Sequence, residues 1–275
     1  MIDLHTHTTA SDGWCAPAEL VARASAAGVT VLGVTDHDTL AGCGEVAAAC
    51  AAEGLEFVPG IEITAAVDGR DVHVLGYFLD VRSAAMQTFL EEQRRRRVER
   101  VRQIVERLGD HGIALDADEI LRPALNDRSR SVGRPWVARA LVAAGHVTDS
   151  NEAFDRWLER GRPAFVPRTG GAPAEIFERI HGAGGIASLA HPGLVGHDEW
   201  LPLFAGDGLD ALEAYHSDHD ASATTHYVTL AGRLGLLVSG GSDYHGDPSH
   251  GPGSPGAVSL PQDQFERLKA RRRSP

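Results

Sequence analysis

Lysine is nearly missing from this chain: Lys269 is the only one among 26 basic residues in 275. No GxxxxGK[ST] string occurs either, so phosphate-loop chemistry is excluded, and Schiff-base chemistry has no well-placed amine. Cysteine is scarce as well. Cys15, Cys43 and Cys50 form no CxxC pair, and their odd number does not suggest a disulfide framework, which makes a reducing compartment the natural setting. No stretch of about 18 apolar residues occurs, and the opening MIDLHTHTTASDG lacks the basic flank and apolar run of a secretion signal. These absences lead us to expect a cytoplasmic protein without a membrane partner. Net positive charge is also lacking. A formal charge of −12 disfavours nonspecific attraction to nucleic-acid backbone, so no stable nucleic-acid partner is expected and any phosphate site must be a local positive island.

What is present in excess is histidine, with 14 residues. Short β-type runs alternate with helical patterns: Ile2 to Leu4, a helix from Pro17 to near Gly28, Val29 to Val34, then an Ala-rich helix closing at Gly54. The rhythm continues through Phe57 to Pro59 and Val72 to Phe78, and resumes at Ile186 to Leu189, Ala211 to Ala214 and Leu236 to Ser239. This is the pattern of an α/β barrel made of βα units, and a run from Ala257 to Leu260 is expected to add an edge or closing strand. Between about Ser83 and Pro163 the strand signal vanishes. Consecutive helical patterns, including FLEEQRRRRVERVRQIVERLG, indicate a helical insertion, with Leu90, Val98, Val101, Ile104, Val105 and Leu108 on its apolar face. The run Arg94 to Arg97 reads as a solvated face, and Arg271 to Arg273 as a frayed tail.

The position of the histidines and carboxylates carries the chemistry. His5 and His7 follow the first β run, Asp36 and His37 the second, Glu62 the third, His191 the fifth, and Asp243 with His245 the last. In an α/β barrel the ends of parallel strands share one face, so residues distant in sequence meet there. Alternation along an extended chain points His5 and His7 to the same side, and Asp243 with His245 repeats that spacing. Mixed nitrogen and oxygen donors suit Zn²⁺, Mn²⁺ or Fe²⁺, and a glutamate such as Glu62 can bridge two ions. Each piece alone has a bland reading, a core histidine for His73 within VHVLGY for instance. Their convergence favours metal binding.

The strings DLHTHTTASDG, VTDHDT, GIEIT, VHVLGY, LAHPG and GSDYHG resemble the PHP family, the polymerase and histidinol phosphatase superfamily, in order as well as content. The resemblance implies a distorted (β/α)7 barrel in residues 1–82 and 164–275, with a helical insertion at 83–163 covering the active site. It implies a trinuclear metal centre of two to three divalent ions. One ion would be held by His5, His7, Glu62 and Asp243, a second by Glu62, His73 and His191, a third by Asp12, His37 and His245. Histidinol phosphatase relatives commonly carry His where this chain has Asp12, so the branch implied is the small phosphoesterases that include nucleoside 3′,5′-bisphosphate phosphatases.

The activity expected from this likeness is metal-dependent hydrolysis of a small phosphate monoester on a nucleotide, by a metal-bridging hydroxide. Asp243, His245, Glu62 and His219 are the expected catalytic residues. Substrate phosphate would be gripped by Arg134, Arg168, His216 and His219, since guanidinium and imidazole donors suit it. The bland readings set Arg134 at a helix end, Arg168 in a surface pair, and His216 and His219 outside the site. Asp36 reads as an orienting group and Asp38 as a helix N-cap. Trp136 stands where relatives usually carry His, and packing is favoured over base stacking. Trimming of short oligonucleotides, histidinol phosphate hydrolysis, a catalytically silent metal-binding module and amidohydrolase chemistry are the alternatives. The last usually adds a carboxylated lysine, for which Lys269 is poorly placed.

Overall fold

In the computed structural model, which describes residues 1–247 and 253–272, apolar runs form seven strands of one sheet in chain order. They are β1 (Ile2–Asp3), β2 (Val31–Val34), β3 (Glu56–Val67), β4 (Arg70–Tyr77), β5 (Ile186–Leu189), β6 (Ala211–Tyr215) and β7 (Leu237–Gly240). The VLGV of β2 and IASL of β5 are buried at every residue, as strands covered on both faces require. Neighbours pair in parallel except around β4, which runs antiparallel to both β3 and β5. The ladder is open between β7 and β1. There the segments beyond the strands are joined by an isolated Thr6–Tyr244 bridge and by bonds from Asp243 N to the His5 carbonyl (2.8 Å) and from His7 N to the Tyr244 carbonyl (2.9 Å). Gly241 permits this approach, because a Cβ there would collide with the His5 backbone.

Helices α1 (Pro17–Ala26) and α2 (Cys43–Glu53) link the first three strands, and Gly54 ends α2 in the left-handed conformation at φ 74°. The chain then leaves the sheet through α3 (Ala84–Asp110), followed by α4 (Ala117–Asn126), α5 (Arg134–Ala143) and α6 (Ser150–Ala153), which passes into a π-helical turn at Phe154–Leu158. Helix α3 is 27 residues long, about 40 Å at 1.5 Å per residue. Its Met86 and Leu90 pack into the barrel core, while Val101, Ile104 and Leu108 join a separate core with Leu121, Val137 and Leu141 of α4 and α5. The chain returns through α7 (Pro173–Gly182), and α8 (Pro192–Val195), α9 (Leu201–Gly206), α10 (Ala221–Leu234) and α11 (Gln262–Arg271) complete the fold.

Two local expectations are corrected. The third strand does not stop at Pro59. It runs on to Val67 and turns through Asp68 and Gly69, both at positive φ, into β4, so Asp-Gly makes a hairpin where two separate runs were expected. Glu62 therefore lies within a strand and not after one. Ala257 to Leu260 forms no strand: Leu260 N bonds the Ile2 carbonyl (2.9 Å), but Ser259 meets Ile2 N through its hydroxyl and Gly256 is held at φ 77° by the Asp3 carboxylate.

Candidate metal centre

Strand ends, the β3–β4 hairpin and the loop after β1 bring all nine of the expected ligand side chains to one place. His5 and His7, both fully buried, have ring centroids 5.2 Å apart, confirming that they face the same side. Their Nε2 atoms lie 3.2 and 3.1 Å from Asp243 Oδ1 and 3.6 and 3.4 Å from Glu62 Oε2. The other Glu62 oxygen, Oε1, is 2.7 Å from His73 Nδ1 and 3.4 Å from His191 Nε2, so this carboxylate spans two groups of imidazoles. Asp12 gathers a third group, with His245 Nε2 at 3.3 Å and His37 Nε2 at 3.5 Å. The groups overlap. His7 reaches Asp12 through Nδ1 at 3.7 Å, and His37 Nδ1 comes within 3.0 Å of Glu62 Oε2.

Burial is what gives this ring its chemistry. His5 Nε2, both nitrogens of His7, His37 Nδ1 and Asp243 Oδ1 are buried without a hydrogen-bond partner, an arrangement that costs several kcal/mol unless something satisfies it. Their donor atoms fall within 4.8 Å of one another in sets of three and four. A divalent cation with nitrogen and oxygen ligands fits such sets. Burial alone would raise the carboxyls of Glu62 and Asp243, yet the surrounding imidazoles hold both well below the usual carboxylate range. Burial also pushes His37 down to about 3, which keeps its ring neutral.

A cavity of about 560 Å³ opens over the ring. One wall carries the ligand candidates, the other Arg97, Arg100, Arg134 and Arg168, so both arginines expected to grip substrate line it. Arg100 and Arg134 share Asp71 Oδ2, each at 3.3 Å, and Arg97 and Arg168 share Asp38 Oδ2. The Arg168 pair is buried, not on the surface as the bland reading had it. Asp38 is likewise no N-cap: it sits at φ 50°, fully buried, and α2 is entered from Gly42. Asp36 accepts from Thr8 N, Thr8 Oγ1 and Ser11 Oγ at 2.6–2.8 Å and so shapes the loop that carries Asp12.

The arginine run divides by helical period. Arg95 and Arg96 pair with Glu92 on the exposed face, but Arg94 and Arg97 turn with Leu90 toward the barrel, Arg94 reaching the Asp38 carbonyl at 3.1 Å. His216 and His219 do not line the cavity. His216 is buried beneath Asp243, its Nε2 3.5 Å from Oδ2. Both ring nitrogens of His219 are taken by backbone, the Ala214 carbonyl at 2.9 Å and Gly193 N at 3.1 Å, and the ring stacks on Tyr227. His219, expected to serve in catalysis and substrate binding, thus has both ring nitrogens engaged by backbone in this structure. Trp136 packs against the helical core and donates to the Ser11 carbonyl at 3.0 Å. His250 and Arg273 lie outside the described residues.

Three residues carry no mention in the sequence reading, and Arg97 entered it only as part of a solvated face. Asp71 and Arg100 carry no local signal beyond a charge on a strand and on a helix. Glu213 gave a signal that went unused: a carboxylate inside the apolar strand LEAY, fully buried, its Oε1 2.9 Å from His5 Nδ1.

A ring of buried imidazoles and carboxylates at strand ends, faced by guanidinium groups, defines a metal-dependent phosphoester hydrolase. The PHP domain model matches residues 3–129. The chain is 35% identical to the 5′-3′ exoribonuclease of Haemophilus influenzae, over 88% of this chain and 89% of that protein. It is 35% identical to the 3′,5′-nucleoside bisphosphate phosphatase of Chromobacterium violaceum, over 89% and 87%. A Bifidobacterium adolescentis protein described as a metal-dependent phosphoesterase superposes with a TM-score of 0.89 at 31% identity, covering 99% of this chain and 96% of that one. A C. violaceum protein described as an amidohydrolase with bound sulfate and no metal gives 0.88 at 32%, covering 98% and 96%. The chain belongs to the PHP family, and it is a hydrolase. Amidohydrolase chemistry through a bridging lysine finds no residue here, since Lys269 pairs with Glu56 on the surface at 2.6 Å. Among the described residues no helix is long and apolar enough to cross a membrane.

Proposed function

We propose that this enzyme removes the 3′-phosphate of a nucleoside 3′,5′-bisphosphate or a closely similar small nucleotide. The observation that carries the reading is a cavity of about 560 Å³, the size of a small-ligand site, with metal-ligand candidates on one wall and four guanidinium groups sharing two carboxylates on the other. Two anionic poles on one small molecule suit two such walls. The name of the C. violaceum phosphatase supports the same substrate class. His5, His7, Glu62 and Asp243 would hold one ion, Glu62, His73 and His191 a second, and Asp12, His37 and His245 a third, drawn from Mn²⁺, Fe²⁺ and Zn²⁺. When bound, such ions supply Lewis-acid polarisation of the phosphoryl group and an acidified water.

The chain's own residues orient and neutralise. Glu62 keeps its two oxygens toward different imidazole groups, and His245 donates from Nδ1 to the Asp243 carbonyl at 2.9 Å, fixing Nε2 toward Asp12. Arg134 and Arg168 would exchange part of their bonding from Asp71 and Asp38 to phosphate oxygens. We read residues 83–163 as the inserted unit that roofs the cavity, supported by its separate core and by Arg134 and Phe154 at the cavity wall. The free, buried cysteines accord with a cytoplasmic setting.

A second reading, trimming short oligonucleotides from one end, is favoured by one feature. Arg97, Arg100 and Arg168 also line an outer groove of about 450 Å³ together with Arg95 and Arg96, a path for further phosphates. The exoribonuclease name of the H. influenzae relative supports this reading. Phosphate release by Mn²⁺-loaded protein from bisphosphates, mononucleotides, histidinol phosphate and short oligonucleotides tests both. Preference for a bisphosphate is expected. Preference for histidinol phosphate would overturn the reading, and preference for oligonucleotides would install the second.

A further inference from the structure

Every strand from β1 to β7 except β6 presents one of the nine expected ligands from its own length or from the segment that follows it. What β6 presents is Glu213, at zero exposure in a strand whose first four residues are buried. Its two oxygens go to different places. Oε1 lies 2.9 Å from His5 Nδ1, and Oε2 accepts from His191 N at 2.8 Å. A carboxylate can only accept, so a proton sits on His5 Nδ1, and the opposite nitrogen, Nε2, is left facing Asp243 and Glu62. Glu213 thus touches the ring of His5 on the edge away from the ligand cluster. At His191 the bond holds backbone, and the backbone there is strained: φ is +29°, outside the ordinary range for a residue with a side chain. That turn is what brings His191 Nε2 to within 3.4 Å of Glu62.

We infer that Glu213 is a positioning residue that braces two metal-ligand groups at once, setting the tautomer and direction of His5 and holding the His191 turn that completes the Glu62–His73 group. The inference rests on the ligand assignment proposed above. One buried carboxylate reaching candidates for two different ions makes their occupancies interdependent. A residue present merely to fill the barrel would leave metal affinity alone, whereas removing the group that orients a ligating histidine weakens metal binding about 10- to 100-fold.

The test measures Mn²⁺ affinity and stoichiometry of the full chain by the electron paramagnetic resonance of free Mn²⁺, alongside thermal unfolding of the metal-stripped protein. Glu213→Ala is expected to bind Mn²⁺ at least about tenfold more weakly and to weaken more than one bound ion. Glu213→Gln keeps one acceptor for His5 and is expected to recover part of that affinity. Wild-type affinity in Glu213→Ala would overturn the inference, as would equal losses in Ala and Gln variants that track a collapse of the metal-stripped fold. Asp243→Ala, run in parallel, keeps the two readings apart. If it retains its full metal complement, the ligand assignment has failed. If it loses metal while Glu213→Ala does not, only the brace has failed.

Discussion

On the barrel side of the cavity, buried atoms of His5, His7, His37 and Asp243 face one another with no hydrogen-bond partner, whereas on the helical side Arg97, Arg100, Arg134 and Arg168 each bond a carboxylate or a carbonyl. The barrel wall gathers buried donor atoms of the kind that a divalent cation would satisfy. The helical wall is paired within itself except at Arg100 Nη2 and Asp38 Oδ1, and its arginines need only exchange one anion for another. The difference follows from the supports beneath. Strand ends fix the imidazoles in directions they cannot leave, while long guanidinium side chains from α3, α5 and the segment after the insertion choose their partners.

The sharpest way to break the comparison is at Asp243. Asp243→Ala is expected to lower phosphate release by about three orders of magnitude or more and to remove at least one ion, measured by turnover and metal analysis together. Normal turnover in that variant would dissolve the distinction between the walls. On the opposite wall, Arg134→Ala should leave metal content unchanged while raising KM by about 10- to 100-fold, the loss of one or two charge-assisted bonds to phosphate. A fall in bound metal there would show that the two walls are one unit.

Stability sharpens the contrast further. Burial would raise the carboxyl of Asp38, but Arg168 and Arg97 reverse this and hold it well below the ordinary carboxylate range. A group depressed in the folded state stabilises above its unfolded value, about 3.9, and that contribution is lost as pH falls below it. Asp38→Asn should therefore be less stable than the parent by on the order of 3 kcal/mol near neutrality, with the gap narrowing only below about pH 4 in thermal unfolding scans. A gap that closes between pH 6 and 5 would mean that Asp38 is not paired as observed. The smallest effect is expected at His219. His219→Ala gives up two backbone bonds, costing about 1 kcal/mol each in unfolding experiments, with KM and metal content unaltered. A large rise in KM would return His219 to the site from which its geometry removes it.

Much of the barrel wall was legible because its signals are local. His5 and His7 two apart, Asp243 and His245 two apart, and His37 and His191 just after apolar runs can all be read without knowing what packs where. Glu62 and His73 were found even though β3 and β4 proved to be a hairpin, because the motif strings held where the strand bounds did not. The helical wall was legible only in part. Arg134 and Arg168 were named, but Arg97 and Arg100 were hidden in a run of charges whose inward and outward members differ only by rotation around α3. The places of His216 and His219 misled for a related reason. Both follow β6, yet one is buried under Asp243 and the other is tied by its ring to the Ala214 carbonyl and Gly193.

The sequence by itself determined the fold class and which imidazoles and carboxylates would gather, since period, strand order and donor type are properties of the chain that the strands carry to a common end. Only the tertiary structure decided which charges meet. Asp38 pairs with Arg97, 59 positions away, and Arg168, 130 away, and Glu213 lies 208 positions from the His5 ring it braces. Side-chain partners at such separations depend on the docking of α3 and on the closure of the segment after β7 against β1's extension. Neither is encoded in any local pattern, because both are settled by how apolar faces pack.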